Sequence, residues 1–499
     1  MTSTQPHHSE RIHHQVALHV LVNELKTCLP DSAIIAEPEA LRPYECDGLS
    51  AYRCLPWLVV LPATVAQVQH CVRCCYRHGV PIVARGAGTG LAGGALPLDN
   101  GVLLSLVRLN RILDIDSANR LARVEPGVRN LAISQAAASH GLYYAPDPSS
   151  QIACTIGGNV AENSGGVHCL KYGLTTHNIL QLDIITMDGE LVTIGSHGLD
   201  GPGLDLLALM TGSEGMLGIV VAVTVKLLPL PEQVQVVLAA FDDVEQAGLA
   251  VAEIIAAGLI PAGLEMMDKA TIKAAEDFIH AGYPEDAEAI LLCELDGSAA
   301  QVDEELELAV ALLAGSGASH ISIAKSEQER KRLWAGRKAA FPAIGRLSPD
   351  YYCMDGTIPR RFLATVLKGI AELSEHYGLA VANVFHAGDG NLHPLILYNA
   401  DLPGDLQKAE QFGGDILKLS IAVGGTISGE HGVGIEKINH MCMQFSTQEL
   451  TQFHAIKRAF DGRGLLNPGK AIPTLSRCAE FGAMHVHHGQ LPHPGIDRF

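Results

Sequence analysis

The sequence predicts an α+β chain in two parts, and three observations carry that prediction. The first half breaks into short apolar runs separated by glycine, the second alternates helical stripes with strands, and Pro229 and Pro231 stand between them. With 499 residues the chain has room for several domains of about 100–200 residues each. Hydrophobic residues make up 47% and charged residues 18%, the balance of a chain that buries a core. The formal charge of −19 argues against a nucleic-acid partner, which would call for clustered lysines and arginines. No apolar stretch approaches the roughly 18–20 residues of a membrane span, and residues 1–15 lack the apolar core of an export signal. The 12 cysteines are therefore expected as reduced thiols.

Taken in order, residues 1–52 read as a helical and loop segment. Trp57–Leu61, Pro81–Ala84, Gly101–Leu106 and Leu121–Val124 read as strands. Between the first two, Thr64 and Gln67 form a capping-box pattern, and Val65, Val68, Val72 and Cys75 recur at helical spacing. Cys71, Cys74 and Cys75 then belong to helix packing, since an iron–sulfur or zinc site would want a second Cys-x-x-Cys. Ile184–Thr186 and Leu191–Ile194 face each other across Asp188-Gly189, a two-residue hairpin signal. Gly218–Leu228 reads as a long strand closing a first domain over 53–231. A second domain over 232–440 carries predicted helices at Val244–Ala257, Glu327–Arg346 and Arg361–Tyr377. A further stripe runs through Val302, Leu306, Ala309, Val310 and Leu313, and strands fall at Ala289–Leu295 and Leu379–Phe385. This alternation suggests helices covering one side of a sheet. Residues 441–475 form a C-terminal helical segment. Residues 476–499 are a tail with His485, His487, His488 and His493, better read as solvated or packed than as a metal site.

Glycine is over-represented, at 51 residues, and three clusters concentrate it. The first runs from Arg85 through Gly86, Ala87, Gly88, Thr89 and Gly90 to Gly93 and Gly94, directly after a strand. Gly88, Gly90 and Gly93 satisfy G-x-G-x-x-G, with Asp114 about where a ribose-binding acid would stand. A dinucleotide fingerprint needs a helix to begin inside the motif, and this chain continues through Pro97, Asp99, Asn100 and Gly101 into another strand. The Rossmann reading is therefore set aside, although bare backbone N–H groups can still cradle a pyrophosphate, with Arg85 and Thr89 as added donors. The second cluster is Thr155-Ile-Gly157-Gly158-Asn159 with Asn163, Gly165 and Gly166, and the third is Thr211-Gly-Ser-Glu214-Gly-Met-Leu-Gly218. Three clusters within about 130 residues, each expected at a strand end, suit one extended ligand.

The order of these loops, with Pro126-Gly127 and Pro146-Asp147-Pro148 between them, resembles the vanillyl-alcohol-oxidase-type FAD-binding domain over about residues 53–231. The resemblance implies a two-part FAD-binding domain with an α+β, ferredoxin-like substrate domain. It places the pyrophosphate on the first glycine loop and the flavin along Thr155–Asn159. It assigns the cofactor site to Arg85, Gly86, Ala87, Gly88, Thr89, Gly90, Gly93 and Gly94. Pro146, Asp147, Thr155, Gly157, Gly158, Asn159, Asn163 and Gly165 follow, then Glu214, Gly218 and Ile219. The first loop contains no histidine, so the FAD is expected to be noncovalent.

Downstream, His386-Ala-Gly-Asp-Gly-Asn391-Leu-His393 places two histidines around a turn, and Ser428-Gly-Glu430-His431-Gly-Val-Gly434 isolates a charged pair among glycines. Two histidines and one carboxylate make a usual ligand set for a divalent metal, with a purely structural role as the alternative. These stretches resemble the C-terminal half of FAD-linked 2-hydroxyacid dehydrogenases. ECDGLSAYR, LYYAPDPSSQIAC and DYYCMDGTIPRR further resemble that family's glycolate-oxidising flavoprotein subunits. The resemblance makes His386, His393 and Glu430 the ligands of a metal such as zinc, iron or manganese. It makes His431 the base and Arg337 the grip on the substrate carboxylate, and it places Asn391 along the site. Asn467, in Asn467-Pro-Gly-Lys470, belongs to a segment folding back toward the FAD. Where dicarboxylate enzymes carry a lysine, this chain has Cys353, which suits a substrate with one carboxylate.

The activity implied is FAD-dependent oxidation of glycolate to glyoxylate, with hydride passing from C2 to flavin N5. D-lactate or another small D-2-hydroxy acid is the alternative substrate, and a noncatalytic flavin-carrying subunit is the alternative role. The implied partners are a second flavoprotein subunit and an iron–sulfur subunit that pass electrons to quinone. The implied location is cytoplasmic, against the inner membrane through that complex.

Overall fold

The computed structural model describes residues 18–198 and 201–474, so the His-rich tail lies outside the described residues. In the first part, Thr64 caps the helix Val65–His78 by accepting the Gln67 N–H at 3.2 Å, and the Gln67 side chain accepts the Ala63 N–H at 2.7 Å. The helix closes at Gly79, whose φ of +68° suits glycine. Cys71, Cys74 and Cys75 are buried in the core beneath it, as packing residues. Among the described cysteines ten are free thiols and Cys442 is disulfide-bonded, which departs from the expectation that all are reduced.

Strands Leu58–Val60 and Ile82–Arg85 lie parallel on either side of Val102–Ser105. Residues 86–101 link two neighbouring parallel strands without any helix, in keeping with the rejection of a Rossmann motif. The following five-stranded antiparallel sheet runs Ile112–Asp116, Leu121–Val124, Ile219–Lys226, Ile179–Ile185, Leu191–Gly195. The hairpin at Asp188-Gly189 forms, but with a longer turn than expected. The Gly189 N–H closes a turn on the Thr186 carbonyl at 2.9 Å, and Gly189 then takes φ +86°. The second glycine cluster also departs from expectation. It opens the short helix Ile156–Glu162 rather than ending a strand, and only the first and third clusters sit at strand ends.

The second part is built on an eight-stranded antiparallel sheet. Its order is His320–Ile323, Gln233–Phe241, Ala289–Gly297, Gly263–Asp268, Val381–His386, Asn391–Tyr398 and Asp350–Cys353, with Gly356–Thr357 also on Asn391–Tyr398. Helices cover both faces rather than one. Val237, Ala239, Phe241, Leu291 and Met266 pack under Val244–Ala256, Ala299–Gly315, Leu363–Tyr377 and Asp405–Ala422. Val236, Leu238, Ala240, Ile290 and Met267 pack under Lys269–Ile279 and Glu327–Ile344. Strands buried on both faces, as these mostly apolar ones are, need a helical layer on each side.

The chain then returns to the first part. After the helix Thr447–Phe460, the Ile82 N–H donates to the Leu465 carbonyl and the Asn467 N–H to the Ile82 carbonyl, each at 2.8 Å. Segment 461–474 thus stitches the C-terminus onto the strand that launches the first glycine loop.

Candidate active site

A cavity of about 370 Å³ opens where the two parts meet. Gly86, Ala87, Gly88, Thr89, Gly90 and Gly94 line one side; Thr155, Gly157, Gly158 and Asn159 line the next, followed by Glu214, Gly218 and Ile219. The glycines are sterically required: a Cβ on Gly86 would collide with Thr155 Oγ1, and one on Gly157 would stand 2.6 Å from Pro126 Cβ. Arg85 also reaches the cavity, but its guanidinium donates to the carbonyls of Ala95 (2.6 Å) and Tyr44 (3.1 Å), bracing the loop from behind. Thr155 Oγ1 is a buried hydroxyl without a protein partner. Bare backbone loops and an orphaned hydroxyl are what an extended phosphate-bearing cofactor such as FAD would occupy.

Other expected cofactor residues stand behind this wall. Gly93 packs on Ile435, and Asn163, at φ +53°, accepts the Thr176 N–H through Oδ1. Asn467 donates to the carbonyls of Gly94 at 2.9 Å and Glu214 at 2.7 Å. Gly165 leaves room for Glu430, and Asp147, after Pro146, holds His168 at 2.9 Å. The cavity also takes in Glu162, Ser213, Lys338 and Phe341, which sequence reasoning missed because nothing local marks them as a group.

The two histidine-bearing stretches converge. Strands Val381–His386 and Asn391–Tyr398 form a hairpin pairing His386 with Asn391, so Asn391 and His393, two residues apart, share the face of His386. Glu430 Oε1 comes within 3.2 Å of His386 Nε2 and 3.0 Å of His393 Nε2. A tetrahedral ion with bonds of about 2.0–2.1 Å sets its ligand atoms roughly 3.3 Å apart, so these atoms are nearly in place for one. The outer nitrogens are also tied: His386 Nδ1 to Glu265 Oε1 at 2.8 Å, His393 Nδ1 to the Met354 carbonyl at 3.3 Å. That orientation of ligand imidazoles through their second nitrogen is the habit of metal-binding histidines.

The Glu430–His431 loop has little secondary structure and is suspended between two carboxylates. Asp355 accepts the N–H groups of Gly429 (3.1 Å), Glu430 (3.1 Å) and His431 (2.9 Å), and pairs with Lys437 at 3.0 Å. Glu214, from the third glycine cluster, accepts the N–H groups of Val433 (2.7 Å) and Gly434 (2.8 Å). His431 therefore faces the cavity, its ring stacked on His393 with centroids 5.0 Å apart. Burial pushes His431 down to about 4, so its imidazole is neutral at pH 7 and able to take a proton; its Nδ1 has no protein partner.

Arg337, on helix Glu327–Ile344, is 1% exposed, and its Nε and Nη2 lie 2.7 and 2.6 Å from Glu265 Oε2. The neighbouring Lys338 is the cation that lines the cavity. Asn391 Oδ1 is buried without a partner beside Gly429. Cys353 lies within ligand distance of His393 and His431, and burial holds its thiol well above its ordinary value and so uncharged.

The chain matches two family descriptions, an FAD binding domain over residues 56–195 and the C-terminal domain of FAD linked oxidases over residues 230–471. It is 65% identical over 475 residues to glycolate oxidase subunit GlcD of Escherichia coli K12, covering 95% of each chain. A D-lactate dehydrogenase of Anaerostipes hadrus is 31% identical, covering 90% of this chain and 96% of the relative. The fold is shared with p-cresol methylhydroxylase, at a TM-score of 0.79 and 18% identity over 93% of this chain and 98% of the other. These matches, carried by a glycine-walled cavity and an eight-stranded sheet, make the chain a member of the FAD-linked oxidases of the vanillyl-alcohol-oxidase type, the family of the glycolate oxidase D subunits.

Proposed function

We propose that the chain oxidises glycolate to glyoxylate, with noncovalent FAD as the electron acceptor. The observation that carries this reading is the meeting of neutral His431 with His393 and Glu430 on one wall of the cavity, with His386 closing on Glu430 from behind. The similarity to GlcD supports the choice of substrate. FAD, when bound, supplies the two-electron chemistry that accepts the C2 hydride. A divalent metal such as zinc, iron or manganese, held by His386, His393 and Glu430, would polarise the substrate hydroxyl.

The chain's own residues do the rest. Arg337 anchors the carboxylate with the part of its fork that Glu265 leaves free. Asn391, its orphaned amide oxygen beside Gly429, backs the Glu430–His431 loop, and His431 takes the hydroxyl proton as C2 loses its hydride. Uncharged Cys353 supplies no cation at its own position, where dicarboxylate enzymes carry a lysine, which favours a monocarboxylate. A small D-2-hydroxy acid such as D-lactate is the second reading, supported by the D-lactate dehydrogenase relative.

Electrons then leave through partner subunits, a second flavoprotein and an iron–sulfur protein, toward quinone. The relative's name as a subunit supports a complex. Among the described residues no helix is long and apolar enough to cross a membrane. Attachment to the cytoplasmic face of the inner membrane would thus come through partners.

The test is anaerobic addition of glycolate to the FAD-loaded chain. Flavin bleaching in the wild type, and none in H431Q that retains FAD, is the expected result. Higher kcat/KM for D-lactate than for glycolate would move the assignment to the second reading. No bleaching by either acid with the chain alone would make it a flavin carrier rather than the site of oxidation.

A further inference from the structure

Glu265 occupies the central strand Gly263–Asp268, one pair beyond Met266–Phe385 in register, which sets it beside His386. It is 1% exposed and divides its two oxygens between two different partners. Oε1 lies 2.8 Å from His386 Nδ1, and Oε2 accepts from Arg337 Nε at 2.7 Å and forms an ion pair with Nη2 at 2.6 Å, Nη2 making no hydrogen bond of its own. Burying a carboxylate and a guanidinium in the sheet interior is costly. Replacing such a buried pair with apolar residues of similar volume is often neutral or stabilising, so stability alone is a weak reason for this trio. Both partners of Glu265 stand directly behind the cavity lining: His386 Nε2 is 3.2 Å from Glu430, which lines the cavity, and Arg337 precedes Lys338, which also lines it, on the same helix.

We propose that Glu265 is a positioning residue coupling the two grips on the substrate. It fixes the Nδ1–H tautomer of His386, leaving Nε2 for a divalent metal, and it locks the Arg337 fork in one orientation toward the substrate carboxylate. This rests on the metal and carboxylate roles proposed above. The chemistry requires a carboxylate at this position. A glutamine offers one acceptor end and one donor end, so its NH2 must face either His386 or Arg337, both of which are donors. An outer partner of this kind typically changes metal affinity about 10–100-fold.

The experiment uses the FAD-loaded chain with Zn²⁺ as the probe, titrated in competition with a chromophoric chelator, for wild type, E265Q and H386A. E265Q is expected to bind Zn²⁺ about 10–100-fold more weakly, with FAD content unchanged and KM for glycolate raised more than kcat is lowered. H386A should lose the site. E265Q with Zn²⁺ affinity within roughly twofold of wild type, while H386A loses it, overturns the proposal and leaves the metal reading intact. H386A binding as tightly as wild type overturns the metal reading itself, and this inference with it. If E265Q yields no folded protein, E265D keeps the buried charge but retracts it by one methylene. Weakened Zn²⁺ binding there supports the coupling, and unchanged binding overturns it.

Discussion

Asp355 carries the local consequences of a single side chain furthest. It is fully buried, yet its carboxylate lies well below the ordinary range: burial works to raise it, and Lys437 with His431 and His393 more than offsets that. Asp355 and Lys437 are both 0% exposed, so breaking the pair leaves an uncompensated charge inside the protein. D355N is expected to cost about 3–5 kcal/mol and to lower kcat further by releasing three N–H contacts of the Glu430–His431 loop. Denaturant unfolding and steady-state kinetics read the two effects, and D355N/K437M should recover part of the stability but not of kcat. Full activity in D355N would show that the loop does not need this anchor. Neither Asp355 nor Glu265 was legible as a site residue. Glu265 is one acid in an apolar stretch, and Asp355 stands in DYYCMDGTIPRR with nothing local to give its role; their partners come from elements 70 or more residues away in sequence.

Elements whose apolar residues recur with a helical period were legible in order and nearly in length: Val65–His78, Val244–Ala256, Ala299–Gly315 and Leu363–Tyr377 all form as read. The strands Gln233–Phe241, Gly263–Asp268 and Asn391–Tyr398 were not, because burial on both faces removes the alternation that marks a strand. Helix Thr447–Phe460 starts with a reciprocal cap in which Ser446 Oγ accepts the Glu449 N–H and Glu449 accepts the Ser446 N–H. S446A should cost about 0.5–2 kcal/mol in unfolding experiments, and because this helix leads the chain back to Ile82, it should also weaken FAD retention. In the glycine wall, G157A forces a Cβ against Pro126, so the purified variant is expected to carry less FAD than wild type by absorbance. Stoichiometric flavin in G157A would show that the wall tolerates displacement.

Across the whole molecule the two parts are joined by charge as well as by the returning C-terminus. His168 sits between Asp147 of the first part and Glu294 of the second, at 2.9 and 3.0 Å, and Lys171 pairs with Asp296 at 2.6 Å. Beside the cavity, burial, and after it the charge of Glu214, raises Glu162 well above 4.5; burial also raises Glu214, against the Val433 and Gly434 N–H groups. A carboxyl raised in the folded state binds protons that the unfolded chain releases, so its contribution to stability falls as pH climbs above about 4.5. E162Q should therefore gain in Tm relative to wild type as pH rises from about 4.5 toward neutrality, with FAD bound in both. A constant or shrinking difference would place Glu162 in its ionised form. The sequence by itself determined the two-part α+β plan and three glycine loops suited to one extended ligand, while the family resemblance named the flavin and marked His386, His393 and Glu430, with His431, as a candidate group. Glycine spacing and residue type are local properties, read directly along the chain. Only the tertiary structure decided that helices sheathe both faces of the sheet, that Asp355 and Glu214 suspend the His431 loop, and that Glu265 joins Arg337 to His386. Those arrangements depend on strand register and on long-range pairing of buried charges, which no local pattern encodes.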